Sequence, residues 1–379
     1  MKIWVIGRSY PNKKNNMQGS FELEQAKMLK KYGHEVAYIS CVFHPYKKIR
    51  KWGITDWEED GIKIYTNSVP FFPERVKINL LSIKSYFWKK LFSCVEKDYG
   101  LPDVIHVHYP TNITVFKNVL SFKSKGVKII CTEHWSRVLL NKLKNYERKQ
   151  LLNYLHYSDS FICVSEILKK SILDNFDNKF QIDVIPNMIN PMFMKDYNTQ
   201  NINFEHFRFI AIGNQVKIKQ FDKILESFKK FNNLYANSEL IFVGGGPEHN
   251  NLIELSKRLN ISEKVHFKGS LSRKDTAYEL SKANVLISYS LYETFGVPII
   301  ESWSLGKPVI CSNSVGVVSK WNDQFGVQVS PTDSKQLINA MKLLFENYNE
   351  FNANFLKNYA RNNFSEESIY KQLIKKYLE

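Results

Sequence analysis

Short apolar runs alternate with amphipathic stretches along the whole chain, and the alternation starts twice. Residues 2–7 (KIWVIG) read as a buried strand, and residues 21–33 (FELEQAKMLKKYG) carry apolar side chains at helical spacing and close on Gly33. Further β-rich runs follow at 35–40 (EVAYIS), 103–108 (DVIHVH), 127–132 (VKIICT) and 160–165 (SFICVS), with helical segments between most of them. Strand, helix, strand in series demands crossover connections and hence a parallel sheet. Near residue 207 the series begins again with FRFIAIG (207–213) and an amphipathic helix at 221–231. It continues through ELIFVGGG (239–246), KVHFKG (264–269), NVLISYS (284–290) and PVICS (308–312). Two open α/β domains are expected, not one long sheet, and 379 residues suit two. The Asn-rich segment 182–206 holds two prolines and reads as the linker, with domains over 1–195 and 196–362 and a C-terminal helix over 363–379. Ser365 is the expected cap of that helix, with Glu366 and Glu367 in its first turn.

Charge and cysteine content bound the function. The net charge is +16, and residues 1–195 hold most of it: 31 Lys/Arg against 18 Asp/Glu, a net +13. Nucleic acid, anionic lipid and phosphorylated substrates all fit such a field. The five cysteines, Cys41, Cys94, Cys131, Cys163 and Cys311, are too scattered for a metal knuckle or a disulfide framework, so a reducing cytoplasm is the expected setting. The start, MKIWVIGRSY, is too short in apolar length for a signal peptide, and no stretch approaches the roughly 18 apolar residues of a membrane span.

In open parallel sheets, ligands sit beyond the carboxyl ends of the strands. Two such domains facing one another form a cleft there. In LISYSLYETFGVPIIESW (286–303), LISYS is strand and ETFG is the loop at its end. Pro298 suits a first helical turn, so a helix starts near Val297. Glu293 then lies on the loop and Glu301 about one turn into the helix. Free amides at a helix start suit a phosphate, and a carboxylate can accept hydroxyls from a sugar or ribose. Together these features read as a sugar-nucleotide site, although a lone acid in a first turn is commonly a dipole partner. Gly213 ends the first strand of the second half, and Lys217 and Lys219 follow before a helix, a candidate diphosphate clamp. The glycines of VGGGPEHN (243–250), Gly245 among them, permit close backbone approach to a ligand or simply a tight turn.

Taken jointly, IGNQVKIKQFDKILESF, LIFVGGGPE, VHFKGSLSRKD and ANVLISYSLYETFGVPIIESWSLGKPVICS resemble the C-terminal half of retaining GT-B glycosyltransferases, specifically glycosyltransferase family 4. The E-x7-E signature runs from Glu293 to Glu301, and VIPNMIN (184–190) and the final FSEES helix extend the match. The resemblance implies two Rossmann-like parallel-sheet domains facing across a cleft, the C-terminal helix crossing back to the first. It implies that Glu293 contacts donor-sugar hydroxyls, that Glu301 holds the ribose, and that Lys219 binds the leaving diphosphate. Gly296, Val297 and Phe295 would border that diphosphate. The family usually pairs this lysine with an Arg just after Gly213; here the residue is Asn214, leaving Lys217 as the substitute.

In the first half, Gly19 in GRSYPNKKNNMQGSFELEQA (7–26) matches a family glycine near diphosphate and acceptor. His106 and His108 share one face of a strand, and His108 is nearer its carboxyl end. The family places a histidine there beside the donor sugar, while a packed strand-end histidine or a metal pair are the other readings. Glu133 and His134 in TEHWSR are acceptor-side candidates. Residues 69–92 mix Phe, Trp, Leu and Lys, which suits either a membrane interface or a helix packed on its own domain. The expected function is retaining, metal- and cofactor-independent transfer from a UDP- or GDP-sugar to a glycan or lipid-linked acceptor. It would take place in the cytoplasm or at the inner membrane face, in polysaccharide or glycoconjugate synthesis. The alternatives are a nucleotide-sugar epimerase or phosphorylase, an inactive sugar-binding relative, or a basic nucleic-acid binder, for which no recognition motif appears.

Overall fold

Among the described residues the alternation builds two sheets in which every strand pair but one runs parallel. The computed structural model describes residues 1–11, 18–45, 52–71, 80–113, 116–197, 206–319 and 321–379. These divide into one unit of Met1–Ile185 with Tyr370–Glu379, and a second of Pro186–Ile369.

The first unit contains β1 (Lys2–Ile6), β2 (Glu35–Pro45), β3 (Gly53–Glu59), β4 (Ile62–Phe71), β5 (Val104–His108), β6 (Lys128–Glu133), β7 (Ser160–Cys163) and β8 (Asp183–Val184). They form an eight-stranded sheet in the order β3-β4-β2-β1-β5-β6-β7-β8. Central β1 is buried from Ile3 to Ile6, as expected of a parallel strand covered on both faces. The Trp4 ring packs edge-on to Phe122 at 5.3 Å and parallel to Phe92 at 6.0 Å. The one antiparallel pair is the hairpin β3–β4. Its two turn residues, Asp60 at φ 51° and Gly61 at φ 72°, take the left-handed conformation that a tight two-residue hairpin requires.

The second unit contains β9 (Phe207–Ile212), β10 (Ser238–Val243), β11 (Val265–Phe267), β12 (Val285–Ser288), β13 (Val309–Ser312) and β14 (Gly326–Val329), ordered β11-β10-β9-β12-β13-β14. The helix Phe221–Asn232 shows why this sheet is covered. Phe221, Ile224, Leu225, Phe228 and Phe231 recur at helical spacing, and all are buried. Their rings meet strand rings, Phe221 against Phe242 at 5.0 Å and Phe231 against Phe209 at 5.2 Å. Each such fully buried side chain contributes about 1.5–3 kcal/mol of transfer free energy.

The boundary between units falls about ten residues earlier than the expected 195/196, and the expected linker is not a solvent tether. Asp183–Val184 pairs with β7 as strand β8. Ile185, Met188, Ile189 and Phe193 are buried. Ile189 N donates to Phe364 O at 2.8 Å, and Ser304 Oγ donates to Phe193 O at 2.9 Å, which ties 186–195 into the second unit. Residues 198–205 of that segment lie outside the described residues. The C-terminal stretch forms two helices, Ala353–Phe364 and Glu366–Leu378, and from Tyr370 onward the second belongs to the first unit.

No described helix is long and apolar enough to cross a membrane. Of the mixed stretch 69–92, residues 72–79 lie outside the described residues. The helix Leu80–Tyr99 that follows buries Trp88, Leu91, Phe92 and Val95 and exposes Leu81 and Tyr86. One face of it is thus core of its own unit.

Candidate active site

Strand-end loops of the second unit converge because a buried glutamine joins two of them. Gln215, with no exposed surface, donates its backbone amide to Gly245 O (2.7 Å) and its side-chain amide to Gly244 O (3.0 Å). Its carbonyl accepts from Glu248 N at 3.0 Å, and its Oε1 meets His249 Nδ1 at 2.8 Å. The glycines answer to that packing. Gly244 sits at φ +121°, and a Cβ there would lie 2.0 Å from Gly213 O. The run therefore serves loop-to-loop contact first, and Gly245 is the glycine left more open, nearest to Ser270 Oγ.

The expected lysine loop is a 3-10 turn, Lys217–Lys219, ended by Gln220 in the left-handed conformation. Gln220 Nε2 donates to the carbonyls of Tyr289 (3.0 Å) and Pro331 (2.8 Å), and Leu291 N donates to Ile218 O at 2.9 Å. These bonds hold the turn against the loop after β12. Glu293 is fixed in that loop by Glu293 N to Ser314 O (3.3 Å) and Gly316 N to Glu293 O (3.0 Å). Lys219 Nζ consequently stands 2.7 Å from Glu293 Oε1, with side-chain exposures of 22% and 19%. The other oxygen, Glu293 Oε2, is enclosed and has no hydrogen-bond partner among the described residues. Two residues 74 positions apart in sequence are thus one ion pair at the carboxyl ends of β9 and β12.

The helix Val297–Ser304 starts where expected, with Gly296 at φ 101° and Pro298 in its first turn. Pro298 has no N–H and Ile299 N donates to Gly296 O at 3.0 Å, so Val297 carries the one first-turn amide ahead of the helix's own bonds. Phe295 and Val297 are buried, and Val317 N donates to Phe295 O at 2.8 Å, so Phe295 anchors this loop. Glu301 is 1% exposed and its Oε1 lies 2.7 Å from Arg273 Nη2. The Arg273 guanidinium also covers the Phe193 ring at 5.1 Å. Arg273 follows the capping residue Ser272, whose Oγ accepts from Asp275 N. Sequence alone gives Arg273 no role beyond its place in VHFKGSLSRKD, because its partner Glu301 is 28 positions away.

Lys217 is where the structure departs from the expected clamp. It is exposed and lines a groove with Glu226, Glu248 and Arg258, between the helices Phe221–Asn232 and His249–Arg258. One turn of 3-10 helix sends residues 217 and 219 in different directions. Asn214 is exposed at the tip of its loop.

In the first unit, β5 and β6 carry a buried histidine cluster. His106 and His108 share a face, as the spacing requires, with rings stacked at 4.3 Å. His108 Nδ1 meets His134 Nε2 at 3.0 Å, and His108 Nε2 is enclosed without a partner among the described residues. Burial is the main force holding all three imidazoles well below the ordinary histidine range; His134 and Arg8 add to it for His108. His134 is the most exposed of them at 8%. Glu133 is fully buried and accepts from the amides of His134 and Trp135, both at 2.9 Å, and from Thr111 Oγ1. It shapes the loop and offers no free face to an acceptor. Burial raises its pKa against those hydrogen bonds. Gly19, at φ +93°, has Ser9 O 1.8 Å from where a Cβ would stand, so packing of its own loop demands the glycine. Residues 12–17 of that loop lie outside the described residues. No group of three or more His, Cys, Asp or Glu suited to a metal ion occurs among the described residues.

Two family profiles match the chain: "Glycosyltransferase Family 4" over residues 20–193 and "Glycosyl transferases group 1" over residues 195–363. N-acetyl-alpha-D-glucosaminyl L-malate synthase of Bacillus anthracis is 24% identical over 341 residues, covering 84% of this chain and 80% of that protein. The human phosphatidylinositol N-acetylglucosaminyltransferase polypeptide is 24% identical over 328 residues, covering 81% of this chain and 61% of that protein. The chain spans 53 to 61% of the length of three curated relatives, from Methanocaldococcus jannaschii, Arabidopsis thaliana and human. Among solved structures, Anabaena HepE in complex with UDP and glucose superimposes with a TM-score of 0.70 at 15% identity, covering 99% of this chain and 98% of that one. The two profiles meet near the boundary between the sheets and leave only the chain ends unmatched, so the chain belongs to the GT-B glycosyltransferases of family 4.

Proposed function

We propose that this chain is a retaining glycosyltransferase that moves a sugar from a nucleotide-sugar donor to a glycan or lipid-linked acceptor in bacterial polysaccharide or glycoconjugate synthesis. The observation that carries the reading is the Lys219–Glu293 pair at the strand ends of the second unit, beside the start of helix Val297–Ser304. An ammonium beside the amides of Gly296 and Val297 suits a diphosphate, and the enclosed Glu293 Oε2 suits a sugar hydroxyl. UDP is the favoured carrier, GDP the second, since the HepE structure holds UDP and glucose. The human relative's name includes phosphatidylinositol, which together with the +13 charge of residues 1–195 supports a lipid-linked acceptor at an anionic surface. The work then takes place in the cytoplasm, at the inner face of the membrane.

The diphosphate gains negative charge as the anomeric bond breaks. Lys219 would turn from Glu293 to that charge, and the amides at Gly296 and Val297 would add to its stabilisation. Glu293, released, would hold the sugar ring. Glu301 would hold the ribose, with Arg273 giving way. Because a protein cation meets the leaving group, the reaction needs neither metal nor cofactor. The departing diphosphate takes the acceptor proton on the face that it leaves.

The test is transfer from a panel of UDP- and GDP-sugars, followed by mass spectrometry of the acceptor. Glu293→Gln keeps shape and removes charge; it is expected to lower kcat about a hundredfold or more with the unfolding temperature unchanged. Full activity in that variant would refute the assignment.

A further inference from the structure

The histidine cluster of the first unit is bonded from an unexpected side. Tyr377, near the end of helix Glu366–Leu378, is 2% exposed and its hydroxyl lies 2.7 Å from His106 Nδ1. On the other side of that imidazole, His106 Nε2 lies 2.7 Å from Thr132 Oγ1. Both ring nitrogens are thereby engaged, and the ring, with no exposed surface, stacks at 4.3 Å and 23° on His108. His108 in turn bonds His134, the most exposed of the three imidazoles.

A neutral imidazole has one donor and one acceptor nitrogen, so its two hydroxyl partners cannot both donate. The phenol is the more acidic hydroxyl and the poorer acceptor. The Tyr377 hydroxyl therefore donates to Nδ1, and Nε2–H donates to Thr132 Oγ1. This fixes one tautomer. Burial, and His108 beside it, keep His106 uncharged, and the Arg8 guanidinium acts the same way on His108.

We propose that Tyr377 is a positioning residue for sugar transfer: from the C-terminal helix it locks His106 in the Nε2–H tautomer and so holds the His108–His134 pair in place. The proposal rests on the reading of this chain as a transferase, and within it on the expectation that His108 lies beside the donor sugar. Tyr377 touches no substrate; it acts through the ring beneath His108.

The same helix supplies its own control. Tyr370, seven residues earlier and on the same face, bonds His34 Nε2 through its hydroxyl at 3.0 Å and stacks on Tyr32 at 3.9 Å. That contact fastens the helix to the first unit without reaching the cluster. Tyr377→Phe and Tyr370→Phe each remove one hydroxyl from the docked helix, and only the first disturbs His106.

The experiment measures three quantities on the full chain: unfolding temperature, His106 tautomer by long-range proton–nitrogen NMR correlation, and kcat against KM for the donor. Wild type is expected to show Nδ1 as the bare nitrogen. Tyr377→Phe is expected to move the Nδ1 resonance and to lower kcat about ten- to a hundredfold with the donor KM little changed. Tyr370→Phe is expected to leave both untouched. Equal losses of kcat in the two variants would reduce Tyr377 to helix docking and overturn the proposal. So would an Nδ1–H tautomer in wild type, whatever the activity. If wild type transfers no sugar from any donor, the functional reading fails, and the tautomer measurement still decides the hydrogen-bond assignment.

Discussion

Lys219 and Glu293 show how much chemistry one ion pair can hold in reserve. Their side chains are about one-fifth exposed, so the pair is partly screened and its net worth to stability is small. On the proposed reading its value lies in placement, the ammonium for a diphosphate and the carboxylate for a sugar. Lys219→Ala is expected to weaken UDP binding by more than about tenfold, from a charge-assisted bond of about 1.5–3 kcal/mol, in calorimetric titration. An unchanged Kd would remove the lysine from the site. Part of this is legible in sequence, because Glu293 and Glu301 belong to a motif with fixed spacing and Lys219 follows a strand-ending glycine; that the two segments meet is not. Lys217 lines a different groove from Lys219, since sequence order does not say which way a 3-10 turn sends each side chain. Arg273 and Tyr377 take no role from sequence because their partners, Glu301 and His106, are distant in the chain, and no periodicity encodes such pairs.

At the scale of elements, glycines and a glutamine do the positioning that catalytic residues are credited with. Gly244 lets the loop after β10 rest on the Gly213 carbonyl, and Gln215 ties both loops together. Gly244→Ala would force a Cβ to within 2.0 Å of that oxygen at a φ of +121°. It is expected to destabilise the fold by more than about 1 kcal/mol in urea unfolding, and to lower nucleotide affinity as well. Unaltered stability would show that the loops yield freely. The strand–helix series predicts most strands of both sheets, since parallel strands write themselves as apolar runs. The β3–β4 hairpin escapes that reading although Asp60-Gly61 announces it, because β3 (GITDWEE) is mostly polar and Lys63 and Thr66–Ser68 interrupt β4, so neither shows an apolar run. The expected linker contains strand β8 and the buried Phe193; prolines and asparagines conceal apolar residues that pack against the second unit.

At the scale of the whole molecule, the two units respond to different variables. The first buries His106, His108 and His134 as neutral rings whose folded pKa values lie well below 6.5. Below about pH 6.5 the unfolded chain takes up protons that the folded one refuses, so stability falls as pH drops through that value and keeps falling toward the folded pKa values. Urea midpoints are expected to decline steeply from about pH 7 to 5, and His134→Gln is expected to flatten the decline. A midpoint insensitive to pH in wild type would contradict the burial. The second unit should answer to nucleotide, since a ligand at 100 times its Kd adds about 2.7 kcal/mol to whatever it binds. Hydrogen exchange with and without saturating UDP reads that response segment by segment and tests the central claim, that the donor sits at the strand ends of the second unit. Protection is predicted at residues 213–220, 244–246 and 291–301, and protection confined to other segments, or none at saturation, would contradict it.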